Sequence, residues 1–340
     1  GSCWVAGVLT NMRKRPLPVL RTPLPSSRGG ARGGVKFSLV IPVRNGGALY
    51  RQCLESIAAQ SLKPAEVLVF DTESDDGSAT LAAAVLKKIP LRTFSVARAQ
   101  FDHGGTRNRA LKTARHEWVL FMTQDAICAD TEAFAHLLAS ASAQNVVAVY
   151  GRQLPHSDAS PLAATARGFN YGTERVEQNM ALAPKLGIKT WFCSNSFCLW
   201  NKPALENAGG FAEKLILGED MHAAARLVQA GGKVIYEPTA QVRHSHNYSA
   251  AEEFCRYFDT GVFHSLHREL LFRAGNPSKE GLRFVLGQLR QLVKFRAWLS
   301  VLRLPFHVAA KFLGYKLGQN YTLLGRRLSR ALSMHKNFWN

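Results

Sequence analysis

No stretch of this 340-residue chain is both long enough and free enough of charge to span a bilayer as a helix. The apolar segment 3–9 is too short for a signal-peptide core with a cleavage site behind it, and Gly1-Ser2 reads as an expression scar. Cysteine is sparse. Of the six, only Cys193 and Cys198 are close, and four intervening residues with no second pair make a poor zinc signature. The expectation is reduced, mostly buried thiols in a cytoplasmic protein. No GxGxxG turn follows the first strand, which argues against a dinucleotide site. Acid is missing from both ends: residues 1–36 carry seven Lys or Arg, residues 281–340 carry eleven, and neither stretch has an Asp or Glu.

The formal charge of +19 therefore sits at the ends, and residues 37–280 hold all 24 acids against 25 bases. Cationic ends point to an anionic surface, phospholipid or nucleic acid. A nucleic-acid-binding protein with basic tails is one reading; the near-neutral centre and the lack of a nucleic-acid motif count against it. With 46% hydrophobic residues the chain can bury the core of one large α/β domain and still carry an appended segment.

Residues 10–36 are rich in Pro, Arg, Ser and Gly without periodicity and read as disordered. The apolar runs at 37–43, 66–71, 91–96 and 118–123 predict strands, and helical spacing over 49–60, 78–88 and 106–115 separates them. This alternation means βαβ units and a mostly parallel sheet, whose ligands bind beyond the carboxyl ends of the strands. Strands are also expected at 146–150, 197–200, 234–236 and 241–243, and helices at 220–230 and 250–272. After residue 281, Leu282, Val285, Leu286, Leu289, Leu292 and Val293 recur at helical spacing among Arg283, Arg290 and Lys294. Pro305 is expected to end or kink this helix, with a second one at 311–317. Such a face either lies in a membrane interface or packs on the domain.

Four clusters carry candidate chemistry. Residues 71–77 (DTESDDG) follow a strand and suit a nucleobase imide or ribose hydroxyl, or form an acidic turn with Asp76 or Ser78 capping the next helix. Asp125, in 123–126 (TQDA), is a metal ligand for a pyrophosphate-bound cation or a turn aspartate. Glu219 and Asp220 open a helix, either as dipole partners or with one acting as a general base. His244 and His246, two apart on an expected strand, point the same way, toward one ion or simply to the surface.

The ordered succession of 40–45 (VIPVRN), 69–71 (VFD), 74–78 (SDDGS), 104–108 (GGTRN), 120–125 (LFMTQD), 209–211 (GGF) and 218–220 (GED) resembles family 2 glycosyltransferases, which have the GT-A fold. Residues 101–108 (FDHGGTRN), 256–263 (RYFDTGVF) and 311–318 (KFLGYKLG) are similar to bacterial rhamnosyltransferases of surface-polysaccharide assembly. The resemblance implies an inverting transfer from dTDP-β-L-rhamnose onto a saccharide or lipid-linked saccharide, using Mg²⁺ or Mn²⁺. It implies no nucleic-acid partner.

Carried over, Pro42, Arg44 and Asp71 line the nucleoside pocket, with Arg107, Gln124 and Glu219 also on the substrate. Asp125, His244 and His246 face the metal, and Asp220 is the base. One departure is that a single Asp stands where most of the family has DxD; the processive QxxRW signature is also missing. A nucleotidyltransferase on a similar sheet is disfavoured because no Gly-rich pyrophosphorylase loop follows the first strand. The expected division is a disordered basic segment (1–35), a GT-A domain (36–275, nucleotide-sugar part to about 126, acceptor part after it) and a basic amphipathic segment (276–340) on the inner face of a bacterial cytoplasmic membrane.

Overall fold

The computed structural model describes residues 35–275 and 278–340. The leader expected over 1–35 lies outside the described residues, apart from Val35. Nine strands form one sheet: β1 (Phe37–Val43), β2 (Glu66–Asp71), β3 (Leu91–Ser95), β4 (Trp118–Met122), β5 (Ile127–Cys128), β6 (Val146–Leu154), β7 (Val176–Gln178), β8 (Phe197–Asn201) and β9 (Lys233–Arg243). Their order is β3-β2-β1-β4-β8-β6-β9-β5, with β7 on β9. The helices are α1 (Gly47–Ala59), α2 (Ser78–Val85), α3 (His103–Thr113), α4 (Ala133–Ala141), α5 (Pro161–Asn170), α6 (Ala183–Leu186), α7 (Lys202–Asn207), α8 (Glu219–Gln229), α9 (Ala250–Leu266), α10 (Arg268–Leu271), α11 (Ser278–Lys294), α12 (Trp298–Gln319) and α13 (Tyr321–Leu332).

The expected parallel character holds from β3 to β4. Beyond β4 the sheet is mixed: β8 runs antiparallel to both β4 and β6, and β6 pairs parallel with β9. Every residue of β2, β4 and β8 is buried, so these strands read as continuous apolar runs rather than alternating ones. The two short strands expected at 234–236 and 241–243 are one strand, β9. Gly151 pairs with Glu237 while Arg152 pairs with Gln241, so residues 238–240 bulge out. Pro238 has no N–H to give a ladder, which places the irregularity there.

The helix expected over 250–272 ends at Leu266, and α10 follows after His267. The C-terminal break is displaced from its expected place. Pro305 lies inside α12, and the chain turns instead at Arg296, with φ 55°. There Arg296 N bonds Val293 O and Ala297 N bonds Leu292 O, the paired bonds of a Schellman end, which decide the stop. Packing of α12 on α9 offsets the bond that Pro305 cannot make. The helices meet so closely that a Cβ on Gly314 would lie 2.3 Å from Phe254 O. No helix of the described residues is long and apolar enough to cross a membrane.

Candidate functional site

A cleft of about 1190 Å³ opens past the carboxyl ends of β1 and β4, between the start of α8 and the end of β9. Pro42, Arg44, Arg107, Gln124, Asp125, Glu219, Asp220, His244 and His246 all line it. Asp71 stands behind the wall, and its neighbour Thr72, also buried, is the residue that lines the cleft.

On one side, two loops are clasped together. Arg44 N donates to Gln124 Oε1 at 2.7 Å and Gln124 Nε2 donates to Arg44 O at 3.1 Å. The acidic turn after β2 holds the same loop: Ser74 Oγ accepts from Asn45 N, Ser78 Oγ from Gly46 N and Asp76 Oδ2 from Gly47 N. Much of the 71–77 cluster is thus structural, although the N-cap of α2 is Gly77, not Asp76 or Ser78. Asp71 divides its oxygens. Oδ2 accepts from Ser74 N at 3.1 Å, while Oδ1 is buried with no partner. A buried acceptor without a donor is costly, and an imide N–H would satisfy it.

Deeper in the cleft, Asp125 Oδ2 lies 3.3 Å from His244 Nε2 and 3.9 Å from His246 Nε2. One ligand atom from each of the three falls within 4.8 Å of the others, and the three together are able to hold a metal ion. The histidines lie just past the end of β9 rather than on it, but the order of the strand persists there, since His244 N still bonds Leu154 O. The tautomer of His244 follows from its other nitrogen. Nδ1 is 2.9 Å from Gln153 Oε1, an acceptor that also receives Arg167 Nη1 at 2.6 Å. Nδ1 must therefore donate, which leaves the Nε2 lone pair facing a carboxylate when the ring is neutral. Two acceptors at that distance need a cation or a proton between them. Burial pushes the Asp125 carboxyl up, but hydrogen bonding and charge from the histidines outweigh it and hold the group below the usual carboxylate range. Burial, helped by the charge of His244, pushes His246 down to about 4, so it is neutral at pH 7. One carboxylate and two imidazole nitrogens suit a divalent cation.

Glu219 and Asp220 open α8 and are adjacent in sequence, yet their surroundings differ. Glu219 is 3.2 Å from Arg107, which reaches across from α3, and accepts from Asn195 Nδ2 at 3.1 Å. Asp220 accepts backbone N–H bonds from Asn195 at 3.0 Å and from Met221 at 2.7 Å, and has no cation bonded to it. Burial raises both carboxyls, but the Arg107 charge overrides this for Glu219, whose pKa falls below the usual value. For Asp220 burial and the Glu219 charge add, raising it to about 6. Two carboxylates whose environments push them apart take different roles: one is an ionised structural anchor, the other is suited to accept a proton near neutrality.

Arg107 reaches Glu219 because α3 docks on the loop 209–213. Asn108 bonds Phe211 N and O, and Asp102 caps α3 through Gly105 N and accepts from Lys214 N. Gly104 is required at this contact, since a Cβ there would sit 2.0 Å from Ala212 O.

Sequence reasoning missed Gln153, Arg167, Asn195 and Tyr248. Asn195 bonds both carboxylates' segment and is itself held by Trp200 Nε1 at 2.8 Å, and Tyr248 stacks on His246 at 5.2 Å. None lies in a spaced motif; the proximity of Asn195 to a buried Trp and of Tyr248 to the histidines is the only trace in the sequence.

Residues 38–209 match the model of glycosyl transferase family 2. The chain is 44% identical over 307 residues to the O-antigen chain rhamnosyltransferase RfbN of Salmonella typhimurium, covering 90% of this chain and 96% of that one. It is 42% identical to the O-antigen chain rhamnosyltransferase WbaN of Salmonella anatum, over 89% and 96%. The mannosyltransferase PcManGT of Pyrobaculum calidifontis, solved with GDP-Man and Mn²⁺, superposes with a TM-score of 0.54 at 18% identity, covering 96% of this chain and 88% of that one. That likeness bears on the fold alone. The sheet, its flanking helices and these matches together make this chain a GT-A-fold glycosyltransferase, and it belongs to glycosyltransferase family 2.

Proposed function

We propose that the chain transfers L-rhamnose from dTDP-β-L-rhamnose, with inversion, to a saccharide carried on a lipid, at the inner face of a bacterial cytoplasmic membrane. The observation that carries the reaction type is the placement of two unlike acidic centres on one cleft: Asp220, free of a cationic partner, and Asp125 with two imidazoles. The sugar rests on the names of the 44% and 42% identical relatives. The unpartnered Asp71 Oδ1, one layer behind the cleft wall, matches an imide N–H, which thymine and uracil share, and so favours a pyrimidine base without choosing between them.

In this reading Asp220 takes the proton of the acceptor hydroxyl while that oxygen attacks the anomeric carbon from the face opposite the diphosphate. The bond from carbon to phosphate oxygen breaks with its electron pair. Asp125, His244 and His246 would hold Mg²⁺ or Mn²⁺, which would supply positive charge to the departing diphosphate. Gln153 orients His244, Arg107 keeps Glu219 ionised, and Pro42, Arg44 and Gln124 shape the nucleoside side. The nucleotide-sugar part is about 36–126 and the acceptor part about 127–275. A panel of nucleoside diphosphate sugars, read by product mass, tests this: dTDP-β-L-rhamnose gives the fastest turnover, and a different preferred donor overturns the sugar assignment but not the transferase.

The membrane assignment rests on the outer face of α11 and α12. Leu292 and Leu304 are buried against the domain, whereas Leu282, Trp298, Leu302 and Phe306 are at least 59% exposed, and Arg290, Lys294 and Arg303 lie among them. The acid-free stretch begins at residue 281, after Glu280 in the first turn of α11, and such a face suits an anionic interface, each cation adding about 1 kcal/mol near an anionic leaflet. Co-sedimentation with anionic vesicles is expected, and Leu302→Asp with Phe306→Asp abolishes it; equal partitioning of wild type and variant removes the membrane role.

A further inference from the structure

After α13 the chain does not leave the molecule. Residues 333–339 turn back onto the catalytic domain as a strap. Asp259 Oδ2, on α9, accepts from Met334 N at 3.0 Å and His335 N at 3.1 Å. Trp339 closes the strap, 8% exposed, against Phe258 and Tyr321, and Arg326 Nε bonds its carbonyl. Asp259 belongs to the 256–263 segment, whose role the reaction reading leaves open.

This anchoring carries His335 and Asn337 to the wall of the cleft that holds Asp125 and Asp220. The His335 ring stands edge-on to His103, 5.4 Å between centroids, one turn of α3 before Arg107. Its Nε2 is shielded from solvent and has no hydrogen-bond partner. Buried polar atoms are rarely left so, and an unmade bond costs more than a made one gains.

We infer that the strap brings His335 into the substrate site and that His335 hydrogen-bonds a sugar hydroxyl in the cleft. A neutral imidazole has one donor and one acceptor nitrogen, and a hydroxyl complements either. Burial, with the charges of His103 and Arg256, pushes the ring's pKa down to about 4, so the neutral form is present at physiological pH. The hydroxyl comes either from the donor hexose or from the acceptor. This rests on the transferase reading, and it adds a residue that lies more than eighty positions beyond the other site residues the motifs named.

The test uses the full chain with His335→Ala, His335→Gln and, as a control on the same turn, the exposed Lys336→Ala. Affinities for dTDP and for dTDP-β-L-rhamnose are measured by calorimetry, and kinetics with whichever octyl glycoside the wild type uses best. His335→Ala is expected to leave the dTDP affinity within twofold. It weakens either dTDP-rhamnose binding or the acceptor KM by roughly 3- to 10-fold, the loss expected for one hydrogen bond. His335→Gln recovers part of the loss, and Lys336→Ala matches wild type. Loss in the donor arm places the ring on the donor sugar, and loss in the acceptor arm places it on the acceptor. If His335→Ala folds with unchanged Tm and both arms stay within twofold, the inference is overturned. A fall in dTDP affinity to match overturns it too, since the ring would then be shaping the whole cleft. A wild-type chain that turns over no sugar nucleotide refutes the transferase reading itself.

Discussion

From β1 to β4 the chain advances strand by strand through helical crossovers, and its candidate residues stand at strand ends, within a few positions of apolar runs. Beyond β4 the strands reverse direction, β9 bulges at Pro238, and the cleft is completed by residues from β6, the loop before β8, α5, α8, α9 and the strap. The first region makes a pocket by repetition of one local rule. The second makes it by convergence of distant segments, and polar groups there depend on partners far away in sequence. The Arg107–Glu219 pair joins the two regions, and both side chains are 8% exposed.

The sharpest test of this contrast is the carboxylate pair. Asp220→Asn is expected to lower kcat by about 10²- to 10⁴-fold while leaving donor affinity near wild type. A variant retaining over about a tenth of the rate moves the base to Glu219. Next in size is the bridge between regions. Arg107→Met leaves Glu219 buried without its partner and is expected to cost about 3–5 kcal/mol of stability, read by chemical denaturation; a loss below about 1 kcal/mol means the pair does not hold the halves together.

In the convergent region, Asp125→Ala is expected to reduce both Mn²⁺ affinity and rate, and Gln153→Ala, acting through His244, to reduce metal affinity by about 10- to 100-fold. Full activity in excess chelator removes the metal from the reaction and leaves Arg107 and the histidines to neutralise the leaving group. The smallest effect is on pH. As the proposed base, Asp220 has to be deprotonated, and its pKa is raised to about 6, so kcat/KM is expected to fall as pH drops through about 6. Glu219→Gln removes a charge that raises Asp220 and is expected to move this limb to lower pH; an upward move contradicts the coupling.

The core strands and helices 36–126 were legible because each is a local pattern: buried strands are apolar runs, and the helices carry their own periodicity. The residues carried over as substrate, metal or base positions share one cleft except Asp71, which lies one layer behind it. Their separate roles were not legible. Nothing in Glu219-Asp220 tells which carboxylate meets Arg107, and the difference comes from Asn195 and α3, brought there by folding.

The stop at Arg296 was likewise hidden behind Pro305, since packing of α12 on α9 outweighs one lost helical bond. The double use of the C-terminal helices was hidden too: periodicity shows an apolar stripe but not that Leu292 faces the domain and Leu302 the outside. The sequence by itself determined which side chains could do chemistry and roughly where the strands carry them, because composition and spacing act over a few residues. Which carboxylate is free, how His244 is turned and that residue 335 returns to the cleft were decided only by tertiary structure, because hydrogen-bond partners and burial are set by segments that meet across some 25 to 110 residues of chain.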